Sequence, residues 1–164
     1  PEDRQRMGLV TEFNASENII FGYHHKPPFS NSSIMMGSNI FNHSNAIMKE
    51  YDVRPISPFL KTSNFSGGNQ QKIILSRELN KDPKVLLVGQ PTRGVDIGAI
   101  EFIHQRLIEM RDRGAAILLV SVELEEVLSL SDRIVVMFDG NIVGEKINKD
   151  VTDRELGLLM AGVA

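Results

Sequence analysis

Apolar residues in this chain follow two patterns, short unbroken runs and wider helical spacings. The runs 85–88 and 115–120 predict strands that are buried on both faces, as in a parallel sheet. Between them, helical spacing predicts a helix that ends near Gly114 and carries the apolar residues Ile100, Ile103, Leu107 and Ile108. Strands that alternate with helices indicate an α/β fold, with helices on the sheet faces.

The last third of the pattern predicts a hairpin. A third apolar run, 134–138, is followed by Asp139-Gly140-Asn141, which is a strong turn signal. Residues 142–147 are therefore expected to return as an antiparallel strand. Before this hairpin, the acidic residues Glu123, Glu125 and Glu126 favour the start of a short helix, where negative charge suits the helix dipole.

Polar residues mark where other helices begin. Asn14 with Glu17, and Thr152 with Glu155, have the spacing of capping boxes, so each pair predicts a helix start. The segment 24–45 is rich in Pro, Ser and Asn and has weak periodicity, which indicates a mobile surface segment. Its apolar residues are open to two interpretations, a contact with a partner or a small local core, and these residues are Ile34, Met35, Met36 and Phe41.

Composition narrows the classes of function. The chain has 164 residues, 41% of them hydrophobic, which suits one globular core. Its net charge of −3 and scattered basic residues offer no footprint for nucleic acid, so we expect no nucleic-acid partner. Cysteine is absent, and no apolar run approaches the roughly twenty residues that span a bilayer, so any membrane association is expected through a partner.

No metal site is expected from the histidines. His24 and His25 are adjacent and have no carboxylate or further histidine at a ligand spacing. His104 lies on the apolar face of a predicted helix, which is typical of a hydrogen-bonded core histidine.

The segment Asn64-Phe65-Ser66-Gly67-Gly68-Asn69-Gln70-Gln71-Lys72 carries the candidate chemistry. It places two glycines at the start of a helix predicted from about 67 to 80. Glycine lets the main chain approach a ligand, and the first N–H groups of a helix lack partners inside it, so this turn suits a phosphate. The alternative is a simple helix cap, in which Ser66 is the N-cap residue and the glycines form a flexible turn.

Two motifs together resemble a known family. Ser66-Gly67-Gly68-Asn69-Gln70 resembles the signature motif of ATP-binding cassette (ABC) transporter ATPases, in the form typical of simple-sugar and nucleoside importers. Pro91-Thr92-Arg93-Gly94-Val95-Asp96-Ile97-Gly98-Ala99 resembles the segment after the Walker B strand in the second cassette of those importers, including the D-loop. Pro1–Arg4 and Gly8–Val10 resemble the middle region of the same cassette, so the likeness covers nearly the whole chain.

This resemblance implies a partial P-loop NTPase-like cassette with a parallel sheet core and a helical subdomain. Residues 1–80 would hold the helical subdomain and signature region, and residues 81–164 the Walker B, D-loop and switch region. No G-x-x-x-x-G-K-[ST] phosphate loop occurs, so we expect a fragment that lacks the amino-terminal half of the cassette.

The catalytic positions of the family depart from its pattern. Where the Walker B strand of an active cassette ends in two carboxylates, this chain has Gly89 and Gln90. Gly89 cannot reach a metal, and Gln90 can orient a water but cannot accept its proton. Val122 occupies the usual position of the switch histidine. We therefore assign no catalytic residue and expect the isolated chain to be inactive.

In this family, two cassettes dimerise head to tail. The resemblance implies that Ser66, Gly67, Gly68, Asn69 and Gln70 contact ATP held by a second cassette, with the D-loop residues Gly94 and Asp96 at the interface. ATP and Mg²⁺ would bind in the complete assembly.

The partners implied are a second cassette, transmembrane permease subunits and, indirectly, a substrate-binding protein, with the chain peripheral at the cytoplasmic face of the membrane. A non-catalytic interaction or regulatory module is the alternative function. A DNA-repair or chromosome-associated ATPase is disfavoured, because the chain has neither a basic face nor sustained heptads.

Overall fold

The computed structural model describes residues 3–163. The chain forms two compact units, Pro1–Leu118 and Leu119–Ala164. Pro1 and Glu2 lie outside the described residues, so only part of the family-like segment Pro1–Arg4 is described. None of the helices between residues 3 and 163 is both long and apolar enough to cross a bilayer.

The first unit contains helices and two small sheets. Strands β1 and β2 pair in antiparallel fashion, and β3 and β4 form a parallel pair. In chain order the elements are a π-helical turn Arg4–Gly8, α1 Ala15–Ile19, β1 Ser30–Asn31, β2 Ile34–Met35, α2 Gly37–Glu50, a 3-10 turn Thr62–Asn64, α3 Gly67–Leu79, β3 Val85–Gly89, α4 Ile97–Asp112 and β4 Ala116–Val120, which continues into the second unit.

The core of this unit lies among the helices. Helix α1 packs on α2 and α3, and α3 also packs on α4. The buried Asn18 amide donates to the Thr62 hydroxyl at 2.8 Å and to the Val10 carbonyl at 2.9 Å. Because these bonds satisfy a polar group inside the core, they fix the 3-10 turn that leads into Ser66.

Residues 24–45 are expected to form a mobile surface segment, but their second half is helical and partly buried. Residues Gly37–Glu50 form α2, a helix of 14 residues. Ile40, Ser44, Ile47 and Met48 are buried on its inner face. Ser and Asn weaken the helical signal in the sequence, because their side chains compete for backbone hydrogen bonds, but packing against α1 overrides that preference.

The prediction that β3 and β4 are buried on both faces is also wrong. Val85 is 65% exposed, Leu87 is 74% exposed and Leu118 is 59% exposed. Their neighbours Leu86 and Val88 on β3, and Ile117 and Leu119 on β4, are half-buried. Exposed and half-buried residues therefore alternate along each strand. The described part of the first unit covers only one face of this sheet.

The second unit has its own small core. Helix α5 (Leu124–Leu130) precedes the antiparallel pair β5 (Arg133–Phe138) and β6 (Asn141–Ile147), and a 3-10 turn Asn148–Asp150 leads to α6 (Asp153–Met160). The predicted hairpin is confirmed, with Phe138 opposite Asn141 at the turn. Ile134, Val136 and Leu156 are the buried centre of this core. Both predicted capping boxes, at Asn14 and Thr152, are present.

Truncation of Leu156 tests how the second unit is held together. Leu156 is 1% exposed, whereas Leu158 on the same helix is 44% exposed. We expect Leu156→Ala to lower the free energy of unfolding by about 2–5 kcal/mol, because it removes buried apolar surface and leaves a cavity. The control Leu158→Ala should change it by less than about 1 kcal/mol. Urea denaturation followed by circular dichroism measures both, and equal losses would contradict this account.

Candidate functional site

The turn at the start of α3 is the centre of the candidate site. Ser66 is the N-cap residue, and its hydroxyl accepts a 2.9 Å hydrogen bond from the Asn69 side-chain amide and a longer one, at 3.5 Å, from the Asn69 main chain. Ser66 is exposed, and Gly67 is half-buried. The helix that follows has 13 residues, so its dipole places positive potential at this exposed turn.

The predicted D-loop, around Gly94 and Asp96, lies directly against the two glycines. Asp96 is the N-cap residue of α4, and its carboxylate accepts the Ala99 N–H at 2.9 Å. A Cβ atom on Gly68 would lie 2.9 Å from the second Asp96 carboxylate oxygen and 3.0 Å from the Ala99 Cβ. A Cβ atom on Gly67 would lie 3.1 Å from the Gly94 carbonyl oxygen. These glycines are therefore required for close packing as well as being suited to a close ligand.

Asn69 and Gln70 make hydrogen bonds within the chain. The side-chain oxygen Oδ1 of Asn69 accepts the main-chain N–H of Arg54 at 2.7 Å. The buried Gln70 amide donates to the Thr62 carbonyl at 3.1 Å and accepts from the Gln5 side chain at 3.1 Å. Both side chains thus hold the turn in place, and their contact with nucleotide stays a prediction.

Sequence reasoning missed a group of charged residues beside α3. The Lys72 ammonium donates to the Asp52 main-chain carbonyl at 3.0 Å and to the Asp52 carboxylate at 3.2 Å. Hydrogen bonds from Arg54 first, and then from Lys72, hold the pKa of the Asp52 carboxyl below its usual value. Nothing in the sequence spacing brings Asp52 to α3, because the intervening chain must fold back first.

Sequence reasoning also assigned no role to Arg4. Its guanidinium donates to the Arg93 carbonyl at 2.7 Å and to the Gly94 carbonyl at 3.2 Å. The resemblance of Pro1–Arg4 to a family segment marked the region, but a contact across about ninety residues of sequence cannot be read from it.

The end of β3 has free space beside Gly89 but no acidic side chain. A Cβ atom on Gly89 would meet no atom within 4 Å, so a larger residue fits there. Gln90 follows in the left-handed region with φ 49°. Pro91 and Thr92 are buried, which fixes the chain as it enters the D-loop.

Val122 belongs to the second unit and is 65% exposed, next to Ser121, whose hydroxyl accepts the Glu123 N–H at 3.0 Å. Residues 3–163 contain no group of three or more His, Cys, Asp or Glu side chains placed to hold a metal ion. His104 is half-buried on α4.

Comparison with curated proteins gives similarity over almost the whole chain. It is 48% identical over 162 residues to the nucleoside import ATP-binding protein NupA of Lactococcus lactis subsp. cremoris. It is 46% identical to the guanosine import ATP-binding protein NupO of Bacillus subtilis and 36% identical to the ribose import ATP-binding protein RbsA of Oceanobacillus iheyensis. The aligned regions cover 99%, 99% and 94% of this chain. Over nearly its whole length, this chain is homologous to import ATP-binding proteins for nucleosides and sugars.

The shared region is a limited part of each relative. The chain spans 32%, 32% and 31% of the length of these three import ATP-binding proteins. No family model matches the chain.

Solved structures show the same cassette fold. A dimeric ATP-binding cassette in a post-hydrolysis state, bound to ADP and Pi, superimposes with a TM-score of 0.69 at 24% identity, over 88% of this chain and 60% of that one. An ABC transporter cassette in its ADP conformation gives a TM-score of 0.65 over 93% of this chain and 60% of that one. The predicted α/β cassette fold is thereby confirmed.

A matched pair of glycines tests the packing of the signature turn on the D-loop. Gly68 is the second residue of α3, and Gly98 is the second residue of α4. We expect Gly68→Ala to cost about 1–3 kcal/mol of stability, because the added methyl group clashes with Asp96 and with the rigid Ala99 Cβ.

In the control, a Cβ on Gly98 would have only an ordinary contact, at 3.5 Å. Gly98→Ala should leave stability unchanged or raise it by up to about 1 kcal/mol. Thermal unfolding measures both variants, and equal tolerance of the two methyl groups would show that the glycines at this turn are not packed as described.

Proposed function

We propose that this chain is the carboxy-terminal part of the second cassette of an ABC importer ATPase, and that it lends its signature turn to nucleotide bound mainly by a second cassette. The observation that carries this proposal is a contrast. Ser66 is exposed at a helix start that packs against the predicted D-loop, whereas the end of β3 carries Gly89 and Gln90 in place of carboxylates.

The signature turn suits an ATP phosphate. Ser66 offers an exposed hydroxyl, and Gly67 allows the main chain to come close to a ligand. The first N–H groups of α3 and its helix dipole favour negative charge at the same place. These residues would orient the phosphates and balance their charge during hydrolysis at the partner's site.

The cassette's own site does not fit Mg²⁺ chemistry. Phosphoryl transfer requires a metal held near the phosphates and an oriented water. Gly89 offers no ligand, and Gln90 offers an amide that cannot take a proton from water. We infer a degenerate site in this half and a competent one in the partner half.

The partners and transported class follow from the relatives. The nucleoside and guanosine import proteins are 48% and 46% identical to this chain, compared with 36% for the ribose import protein, which favours a nucleoside over a sugar as cargo. We propose transmembrane permease subunits and a second cassette as direct partners, a substrate-binding protein as an indirect one, and a peripheral position on the cytoplasmic face of the membrane.

An exposed apolar surface in the helical subdomain supports a permease contact. Phe41 on α2 stacks on Phe59 with ring centroids 5.5 Å apart, and the two rings are 39% and 68% exposed. Met35 and Met36 are also exposed nearby in sequence. Methionine and aromatic side chains adapt to irregular protein surfaces, which suits a partner that moves during transport.

Substitution of Ser66 tests the donated turn. In the full-length ATPase that carries this sequence, Ser66→Ala should lower kcat for ATP hydrolysis about ten- to hundredfold, because it removes a hydrogen bond to a charged phosphate. Ser63→Ala, a change at another exposed serine in the preceding turn, should leave kcat within about twofold.

Gln90→Ala provides the comparison for the degenerate site and should also change kcat by less than about twofold. Substrate uptake into cells should follow the same order as hydrolysis. The proposal fails if Gln90→Ala stops uptake while Ser66→Ala does not.

The chain by itself provides a further test. We expect it to show no magnesium-dependent ATP hydrolysis, because it offers neither a phosphate loop nor carboxylates at the end of β3. Turnover by a pure, contaminant-free preparation, measured as released phosphate, would contradict a degenerate site.

A further inference from the structure

Arg4 connects three segments that are far apart in the sequence. It lies in the π-helical turn Arg4–Gly8, and its two terminal nitrogens donate to the consecutive carbonyls of Arg93 and Gly94. A Cβ atom on Gly67 would lie only 2.5 Å from one of those nitrogens. The guanidinium therefore lies between the signature turn and the D-loop and touches both.

The geometry of the contact uses the planar fork of arginine. Its donors are fixed relative to one another, so two hydrogen bonds to adjacent carbonyls determine both the distance and the orientation of the D-loop. A lysine at this position would carry the same charge but only a single flexible ammonium group. The arginine therefore specifies the position and the orientation of the Arg93 and Gly94 carbonyls, which a charge alone would not do.

The contact is not explained by stability alone. The Arg4 Nε atom is buried and has no hydrogen-bond partner among the described residues. A buried donor without a partner has a desolvation cost. Arg4 has this desolvation cost at Nε while its two terminal nitrogens bind the D-loop carbonyls. Such a combination is typical of a site where geometry matters more than stability.

We propose that Arg4 is a positioning residue that sets the spacing between the signature turn and the D-loop. This inference rests on the proposed function, because spacing matters only if both segments meet nucleotide and the partner cassette together. In this proposal Arg4 acts through the main chain of Gly67 and Gly94 and not through a contact with ATP. It holds the Gly94 carbonyl and the Gly67 main chain at the separation that the closed assembly requires.

The position of Arg4 predicts which kinetic constant changes. ATP binding depends mainly on the partner's phosphate loop, so the KM for ATP should stay within about twofold when Arg4 is replaced. Turnover requires the signature turn and D-loop to be aligned, and misplacement by a fraction of an ångström lowers rate steeply, so Arg4→Ala should lower kcat about tenfold or more.

The experiment measures kcat and KM for ATP in the full-length ATPase, well below the unfolding temperature of each variant. Arg6→Ala is the matched control, because Arg6 lies in the same turn, is exposed and carries the same charge. It should leave kcat within about twofold. Arg4→Lys keeps the charge without the fork and should lose most of the turnover that Arg4→Ala loses, which also covers the case in which Arg4→Ala does not fold.

A double-mutant cycle tests the contact with Gly67. Gly67→Ala should reduce kcat less in the Arg4→Ala background than in the wild type, because the nearest clashing group has been removed. Additive effects of the two substitutions would overturn the proposed link between Arg4 and the turn.

The two levels of proposal fail in different ways. If Ser66→Ala leaves hydrolysis unchanged, the donated signature turn is wrong, whatever Arg4 does. If Ser66→Ala lowers kcat but Arg4→Ala behaves like Arg6→Ala, or if Arg4→Lys keeps full turnover, the positioning role of Arg4 is wrong and the proposed function stands. A rise in the KM for ATP without a fall in kcat would also overturn the positioning role.

Discussion

The close approach of two main-chain segments is the constraint on which the rest of the candidate site depends. Gly68 brings the start of α3 against Asp96 and Ala99 with no space for a side chain. One oxygen of the Asp96 carboxylate caps α4, and the other lies against Gly68 at the start of α3. The packing of α3 on α4 and the exposed Ser66 turn both follow from this one contact.

Hydrogen bonds from several directions then hold the turn. Gln70 is tied to Thr62, Asn69 to Arg54, and Asn18 to Thr62 from the other side. Most of these groups lie in the interior or at its edge, where an unpaired polar group would be costly. The turn is therefore presented to its surroundings as a rigid element, and rigidity is what electrostatic stabilisation of a phosphate requires.

The strand end at Gly89 and the helix start at Ser66 differ in what they can contribute. One has main-chain donors and an exposed hydroxyl, and the other has an open position without an acid. Under the proposed function, this asymmetry means that the chain contributes an anion contact, while metal binding and water activation belong to the partner cassette. This is why the proposed function assigns hydrolysis to an assembly of two cassettes.

The sequence by itself determined the local elements and the motifs. Apolar runs, capping residues and the Asp139–Asn141 turn specify structure through neighbours a few residues away, so the hairpin, the capping boxes and α3 could be predicted. The α2 helix could not, because its polar residues weaken the local signal and burial of Ile47 and Met48 compensates only in the folded chain. Tertiary structure alone decided that Arg4 meets Arg93 and Gly94 and that one face of β3 is uncovered, since both depend on contacts between segments that the sequence keeps far apart.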